Sequence, residues 1–230
     1  VRLAPYWENR TAYKRILDMP DAFSLYWQRR VASSSGLKKI LNQIEYKRML
    51  RYEKVMNRFD LSLVCSKEDL NYLKAKQGIR TVNLLPNGVD TATFQLTDHD
   101  YSIADHILFT GNMDYAPNVD AVIYFVEEIF PLILKARPNA TFTIAGQRPV
   151  PKVQALAQGK QIQVTGFIEN IAAIYTTATI VVAPLRFGAG TQNKVLEAMA
   201  KGVPVVSRNI GFEGLDIQQG EGVYLQMSSE

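Results

Sequence analysis

TIVVAPLRFGAGTQNKVLEAMAKGVPVVSR, residues 179–208, reads as strand, loop, helix, strand. Thr179 to Ala183 is a β-branched run stopped by Pro184, the pattern of a parallel strand buried on both faces. Gly188 and Gly190 let the backbone turn sharply and approach another molecule closely. A helix then starts at Thr191 or Gln192, with Val195, Leu196, Met199 and Ala200 on one face. Gly202 ends it, and Val203 to Val206, with Pro204 inside, opens the next strand.

That order has a chemical reading. A helix that begins just after a glycine loop points N–H groups outward, and its dipole favours an anion, so phosphate oxygens suit the place. Lys194 in the first turn adds a full positive charge, and Arg186 on the loop offers a planar fork for an oxyanion. Glu197, one turn further in, can accept from vicinal hydroxyls such as those of a ribose. Diphosphate beside ribose means a nucleotide. A structural crossover with Lys194 and Glu197 in solvent fits the same spacing.

The rest of the chain puts this stretch in context. From His106 onward strands alternate with helices: strands at Ile107–Thr110, Thr141–Ala145, Ile162–Thr165, Thr179–Ala183 and Pro204–Ser207, with Val223–Leu225 as a sixth. Helices are expected near 117–136, 151–158, 169–177 and 191–201. This is an α/β pattern with a parallel, doubly wound sheet. Ligands of such sheets bind beyond the carboxyl ends of the strands. Gly111, Gly146, Gly166 and the Gly188–Gly190 loop all fall on that edge. There is no GxGxxG, so an NAD fingerprint is unsupported.

Before His106 the pattern is different. Residues 1–36 read as irregular, apart from a short strand at Arg15–Asp18, and mix aromatic residues with arginines. Residues 37–59 read as one amphipathic helix: Leu37, Ile40, Leu41, Ile44, Met49, Val55, Met56 and Phe59 recur at helical spacing among Lys38, Lys39, Lys47, Arg48, Arg51, Lys54 and Arg58. Such a helix can rest on an anionic membrane surface or simply be solvated; no nucleic-acid motif accompanies the charge. Leu61–Cys65 is a strand, Ser66 caps a helix over Lys67–Lys76, and Arg80–Leu85 is a strand closed by Pro86-Asn87-Gly88-Val89-Asp90. Asp98-His99-Asp100 has the form of a metal-binding pair but lies in a polar linker, where a metal role is disfavoured.

Composition bounds the alternatives. At 230 residues with 47% hydrophobic and 21% charged residues, the chain has room for one large or two small globular domains. No apolar run reaches the ~18 residues needed to span a bilayer. Cys65 is the single cysteine, which excludes a disulfide framework and a cysteine zinc site, and a reducing compartment fits. The chain begins at Val1 and reads as a fragment. Its net charge of +4 is uneven: residues 1–60 carry 13 Lys+Arg against 6 Asp+Glu, the remainder 13 against 16.

GAGTQNKVLEAMAKGVPVV resembles the donor-binding segment of family 4 glycosyltransferases, which have the GT-B fold, and in particular the bacterial sugar transferases of exopolysaccharide and exosortase clusters. Thr110 to Ala121 is similar to the first loop and helix of their donor domain, Val164 to Ile168 to the segment that reads the nucleotide base, and Pro86 to Asp90 to their interdomain hinge.

The resemblance implies residues 1–90 as the end of an acceptor-side Rossmann-like domain, 91–105 as linker, and 106–230 as a Rossmann-like donor domain without its terminal crossover helix. It implies a retaining transfer from a nucleotide-diphosphate-sugar to a saccharide or lipid-linked acceptor, in the cytoplasm or at the inner membrane, with no metal or other cofactor. Arg186 and Lys194 are then expected to stabilise the diphosphate. Gly111, Asn112, Gly146, Gly166, Phe167, Ile168, Gly188, Ala189, Gly190, Thr191, Gln192 and Glu197 are expected around the donor.

Two departures stand out: the first of the family's paired glutamates falls on Ala189, and the first loop carries Asn112 and Met113 where many members have a basic residue. An epimerase or hydrolase of the same fold, or a non-catalytic nucleotide-sugar binder, are the competing readings. The first needs acid–base groups in the cleft, yet the two histidines, His99 and His106, lie off the strand-end edge.

Overall fold

The computed structural model describes residues 4–7, 9, 12–96, 98, 104–157, 159–215 and 223–225. Nine α-helices and nine strands are defined among them, falling into two units. The division in the chain comes between Asn87 and Gly88; Phe187–Thr191 and a short stretch from Glu213 belong to the first unit.

The first unit opens with a helical turn, α1 (Ala4–Trp7), and holds a parallel sheet in the order β1 (Ile16–Asp18), β2 (Leu61–Val64), β3 (Val82–Leu84). Its core gathers Leu17, Met19, Val55, Met56, Val64, Leu73 and Val82. Two expectations fail here. Residues 1–36 are not irregular: Phe23–Ala32 is a helix, α2. Its arginines and aromatic residues obscure the helical period, and it buries only Ser24 and Leu25 among its own residues. Residues 37–59 are not one continuous α-helix either. The helix α3 spans Gly36–Tyr52, and Glu53–Arg58 winds as a 3₁₀ helix.

The break at Tyr52 has a physical cause in Glu53. Glu53 is fully buried and accepts from the Ser24 N–H at 2.9 Å, from the Ser24 hydroxyl, and from Gln77. Tightening the last turns brings that carboxylate to its donors while Val55 and Met56 enter the core. The apolar stripe Leu37, Ile40, Leu41 and Ile44 stays exposed, between 50 and 73%. After β2, α4 (Lys67–Gln77) starts as expected on Ser66, whose Oγ accepts from the Asp69 N–H at 3.0 Å.

The second unit holds a six-stranded parallel sheet: β4 (His106–Thr110), β5 (Thr141–Ala145), β6 (Ile162–Gly166), β7 (Ile180–Ala183), β8 (Val205–Ser207) and β9 (Val223–Leu225). All six expected strands are present. Their spatial order is β6-β5-β4-β7-β8-β9, so the winding reverses between β4 and β7. The expected helix over 117–136 is three pieces: α5 (Ala116–Tyr124), a π-helical turn at Phe125–Ile129 and α6 (Phe130–Ala136). Pro131 lacks the N–H that would carry a regular helix through.

Shorter crossovers complete the unit: α7 (Pro151–Gln154), α8 (Ile171–Tyr175) and α9 (Asn193–Ala200). Phe109, Phe125, Phe130 and Phe142 centre the core, with Phe125 and Phe142 ring centroids 4.6 Å apart. Part of the stretch expected as linker packs on this unit. Phe94 is buried edge-on to Tyr175, and Lys201 donates to the Gln95 carbonyl.

Candidate functional site

In a parallel sheet, the two crossovers that leave a switch point depart to opposite faces and open a crevice at the carboxyl ends of the central strands. Here those ends are Thr110 on β4 and Ala183 on β7. The glycines that follow β4, β5 and β6 join into one edge. Gly111 donates to the Ala145 carbonyl at 3.0 Å, and Gly146 to the Gly166 carbonyl at 3.2 Å. Gly146 has φ 148°, and a Cβ there would run into the Gly111 carbonyl, so no larger residue fits. Asn112 accepts from Gln147 Nε2 at 3.0 Å through its side chain. Beyond β6, Ile168 is half-buried and Phe167 stands 74% exposed.

The helix α9 presents Lys194 and Glu197 to this unit. Its buried residues are Lys194, Val195 and Ala198 rather than the expected Val195, Leu196, Met199, Ala200 face, because Lys194 turns inward. Lys194 Nζ donates to Asn118 Oδ1 at 3.1 Å and to Gln192 Oε1 at 3.2 Å, and lies 4.9 Å from the Phe109 ring centroid. Burial pulls its ammonium down to about 8, against the opposing pull of Glu197. Asn118 in turn donates to the Asn112 carbonyl at 3.0 Å, so one amide ties the first loop to the lysine. Glu197 Oε2 accepts from the Tyr175 hydroxyl at 2.6 Å, and the Tyr175 oxygen lies 2.7 Å from Thr110 Oγ1.

Arg186 is placed differently from expectation. Its Nε and Nη2 donate to Asp120 at 2.8 and 2.6 Å, and its guanidinium lies over Tyr124, 4.8 Å from the ring centroid. A bidentate carboxylate occupies the fork that was expected to meet phosphate.

The glycine loop itself is organised within the first unit. Arg29 Nη1 donates to the Gly188 carbonyl at 2.8 Å, while the same guanidinium pairs with Glu213 at 2.7 and 2.6 Å. Thr191 Oγ1 donates to the Cys65 carbonyl, and Ala189 is buried. Gly190, at φ 75°, lies so close to Asp21 Oδ1 that a Cβ would clash with it. Burial, and next the Asp69 carboxylate, push Asp21 up to about 7. Asp21, Cys65 and Asp69 offer ligand atoms within 4.8 Å of one another, and a proton on Asp21 relieves that crowding. Burial pushes the Cys65 thiol up, which keeps it protonated and unreactive.

His106 sits at the opposite end of β4, buried, with its ring nitrogens on the Thr177 carbonyl and Thr143 Oγ1. Burial lowers its pKa, and its contacts are those of a core residue. His99 and Asp100 lie outside the described residues, and with them half of the Asp98–Asp100 pair whose metal role was disfavoured. Sequence reasoning missed Asn118, Tyr175, Thr110 and Asp21. Asn118 beside Pro117 at the start of α5 carried a weak signal; Tyr175 carried none.

Residues 104–227, more than half the chain, match the family profile described as "Glycosyl transferases group 1". The chain belongs to that family. A 44.6 kDa protein of the cps region of Klebsiella pneumoniae is 31% identical over 124 residues, half of this chain and 32% of the relative. The group 1 chain described here therefore spans about a third of that relative. Among solved structures, Staphylococcus aureus TarM superposes with a TM-score of 0.72 at 15% identity, over 95% of this chain and 41% of TarM. Anabaena HepE, crystallised with UDP and glucose, superposes with a TM-score of 0.64 at 15% identity, over 93% of this chain and 57% of HepE. These likenesses establish the GT-B fold.

Proposed function

We propose that this chain carries the nucleotide-sugar donor site of a retaining glycosyltransferase that needs no metal and extends a saccharide or lipid-linked saccharide in bacterial polysaccharide synthesis. The observation that carries the reading is the convergence of Lys194 and Glu197 on α9 beside the β4–β7 switch point. Lys194, with the first-turn N–H groups of α9, stabilises the diphosphate leaving group electrostatically. Glu197 holds the ribose. Phe167 and Ile168 flank the base, for which an exposed aromatic ring is a natural stacking partner.

Family membership and the cps-region relative support the polysaccharide context, and the motif resemblance supports the exosortase-associated subgroup. Calorimetry with nucleoside diphosphates tests the core of the reading. Lys194→Ala is expected to weaken binding by about 1.5–3 kcal/mol, the scale of a charged hydrogen bond. Unchanged affinity in a folded variant removes Lys194 from the donor site. Turnover of donor without any acceptor points to a hydrolase or epimerase instead.

We also propose that α3 rests on the inner membrane from the cytoplasmic side. Its exposed Leu37, Ile40, Leu41 and Ile44 run among Lys38, Lys39, Lys47 and Arg48, a pattern that suits an anionic lipid surface. Among the described residues no helix is long and apolar enough to cross a membrane. Binding to anionic but not neutral liposomes is expected, and equal or absent binding to both rejects the contact.

A further inference from the structure

We infer that Tyr175 is a positioning residue of the donor site, holding Glu197 through a hydrogen-bonded relay that begins at Thr110, and that this relay sets the preference for ribonucleotides over deoxyribonucleotides. The inference rests on the proposed ribose role of Glu197 and extends it.

The geometry is specific. Tyr175 is the last residue of α8, its side chain is fully buried, and its ring packs edge-on to Phe94 at 6.0 Å. Its oxygen lies between Thr110 Oγ1 at 2.7 Å and Glu197 Oε2 at 2.6 Å. A carboxylate only accepts, so the phenol donates to Glu197 and its oxygen accepts from the Thr110 hydroxyl. Burial, and after it the neighbouring Glu197, hold the phenol's pKa well above its ordinary value, so the donated proton stays in place across the working pH range. Thr110 is the last residue of β4, next to Gly111. The relay thus runs from the switch-point strand to the half-buried carboxylate of α9.

Two consequences follow from this wiring. Glu197 is a flexible side chain that loses rotamer freedom when it meets a ligand; pinned in advance, it loses less on binding. With Oε2 committed to Tyr175, the carboxylate presents itself in one orientation. Acceptors of this kind reward a hydroxyl donor and give nothing to a ligand that lacks it. A phenylalanine at 175 would fill the same space, so the hydroxyl serves Glu197 and Thr110 rather than the packing.

The experiment is calorimetry on the full chain with UDP, GDP and ADP, followed by the 2′-deoxy form of whichever binds most tightly. Glu197→Gln is expected to abolish most of the preference for the ribose form. Tyr175→Phe is expected to lower that preference about three- to tenfold, and the double variant to be no worse than Glu197→Gln alone, as for groups acting in series. A preference intact in Tyr175→Phe but lost in Glu197→Gln overturns the relay and leaves the donor site standing. A preference intact in Glu197→Gln overturns both. If Tyr175→Phe does not fold, Thr110→Val breaks the other end of the relay. An about two- to fivefold loss of preference is expected there, and no loss overturns the inference.

Discussion

Asn118 Oδ1 accepts from Lys194 Nζ at 3.1 Å while the same amide donates to the Asn112 carbonyl at 3.0 Å. A buried lysine in an apolar setting is held by Asn118 and Gln192, and Asn118 also fixes the loop after β4. Both groups are at least nine-tenths buried, so neither can turn to water if the other is removed.

Asn118→Ala is therefore expected to destabilise the protein by about 1–3 kcal/mol, because it leaves the buried ammonium with Gln192 alone and takes one of two donors from the Asn112 carbonyl. Urea denaturation measures it. A loss under about 0.5 kcal/mol would put the pair at the surface-polar level instead.

Lys194 predicts a pH dependence in two parts. Its pKa is about 8 in the folded protein against an ordinary value of 10.5, so between those values the unfolded chain holds more protons. The Lys194 contribution to stability therefore rises with pH across that window. Diphosphate binding runs the other way, since it requires the charged amine. Affinity is expected to be flat below pH 8 and to fall at up to about tenfold per unit above it. Proton uptake on binding at pH 8.5–9 should appear as buffer-dependent heats. Lys194→Met should abolish that dependence, and its persistence would falsify the assignment.

Asp21 predicts the opposite slope. Its carboxyl titrates at about 7 in the folded protein against 3.8 ordinarily, so the native state holds the extra proton between those values. Stability from this group is complete near pH 4, declines as pH rises, and is lost by pH 7. Asp69 and Cys65, which face it, do not relieve the charge. Asp21→Asn should raise the melting temperature at pH 8 by about 2–4 °C and leave it unchanged near pH 4. A uniform shift at both pH values would mean that the gain comes from packing.

Arg186, bound to Asp120 on a partly exposed surface, should matter little to stability. Arg186→Ala is expected to cost about 0.5–1 kcal/mol in denaturation, given the bidentate geometry and the side chains' partial exposure. Nucleoside-diphosphate affinity should change less than about threefold, which is under 1 kcal/mol. A loss as large as that of Lys194→Ala would mean that a bound diphosphate draws the guanidinium away from Asp120.

The second unit's sheet was legible because strands buried on both faces read as β-branched runs that stop at glycine or proline. Local signals likewise placed Lys194 and Glu197 on one short helix. What stayed hidden depends on partners far along the chain. Glu53 looks like a solvated residue of a basic helix, yet its donors sit 29 and 24 residues away. Arg186 meets Asp120 across 66 residues, Lys194 meets Asn118 across 76, and Glu197 meets Tyr175 across 22. Periodicity reports which face of an element is apolar; it carries no information on which polar group lies opposite. The helix α2 was hidden for another reason: its Arg29 is in use on Gly188 and Glu213, so a helix that looks too polar to pack is held in part by an ion pair and a bond to a carbonyl.

The assignment of Phe187–Thr191 to the first unit has a consequence for dissection of the molecule. No single peptide bond separates the units, because the chain leaves the first at Asn87, returns for five residues at Phe187, and returns again at Glu213. A piece beginning at Gly88 would take Gly188 away from Arg29, Gly190 from Asp21 and Thr191 from Cys65. Its glycine loop should exchange amide hydrogens as an open turn, whereas in the whole chain the Thr191 amide, directed at Cys65 Sγ 3.4 Å away, should be slow. The isolated piece would therefore carry a five-residue loop that its own sequence does not hold.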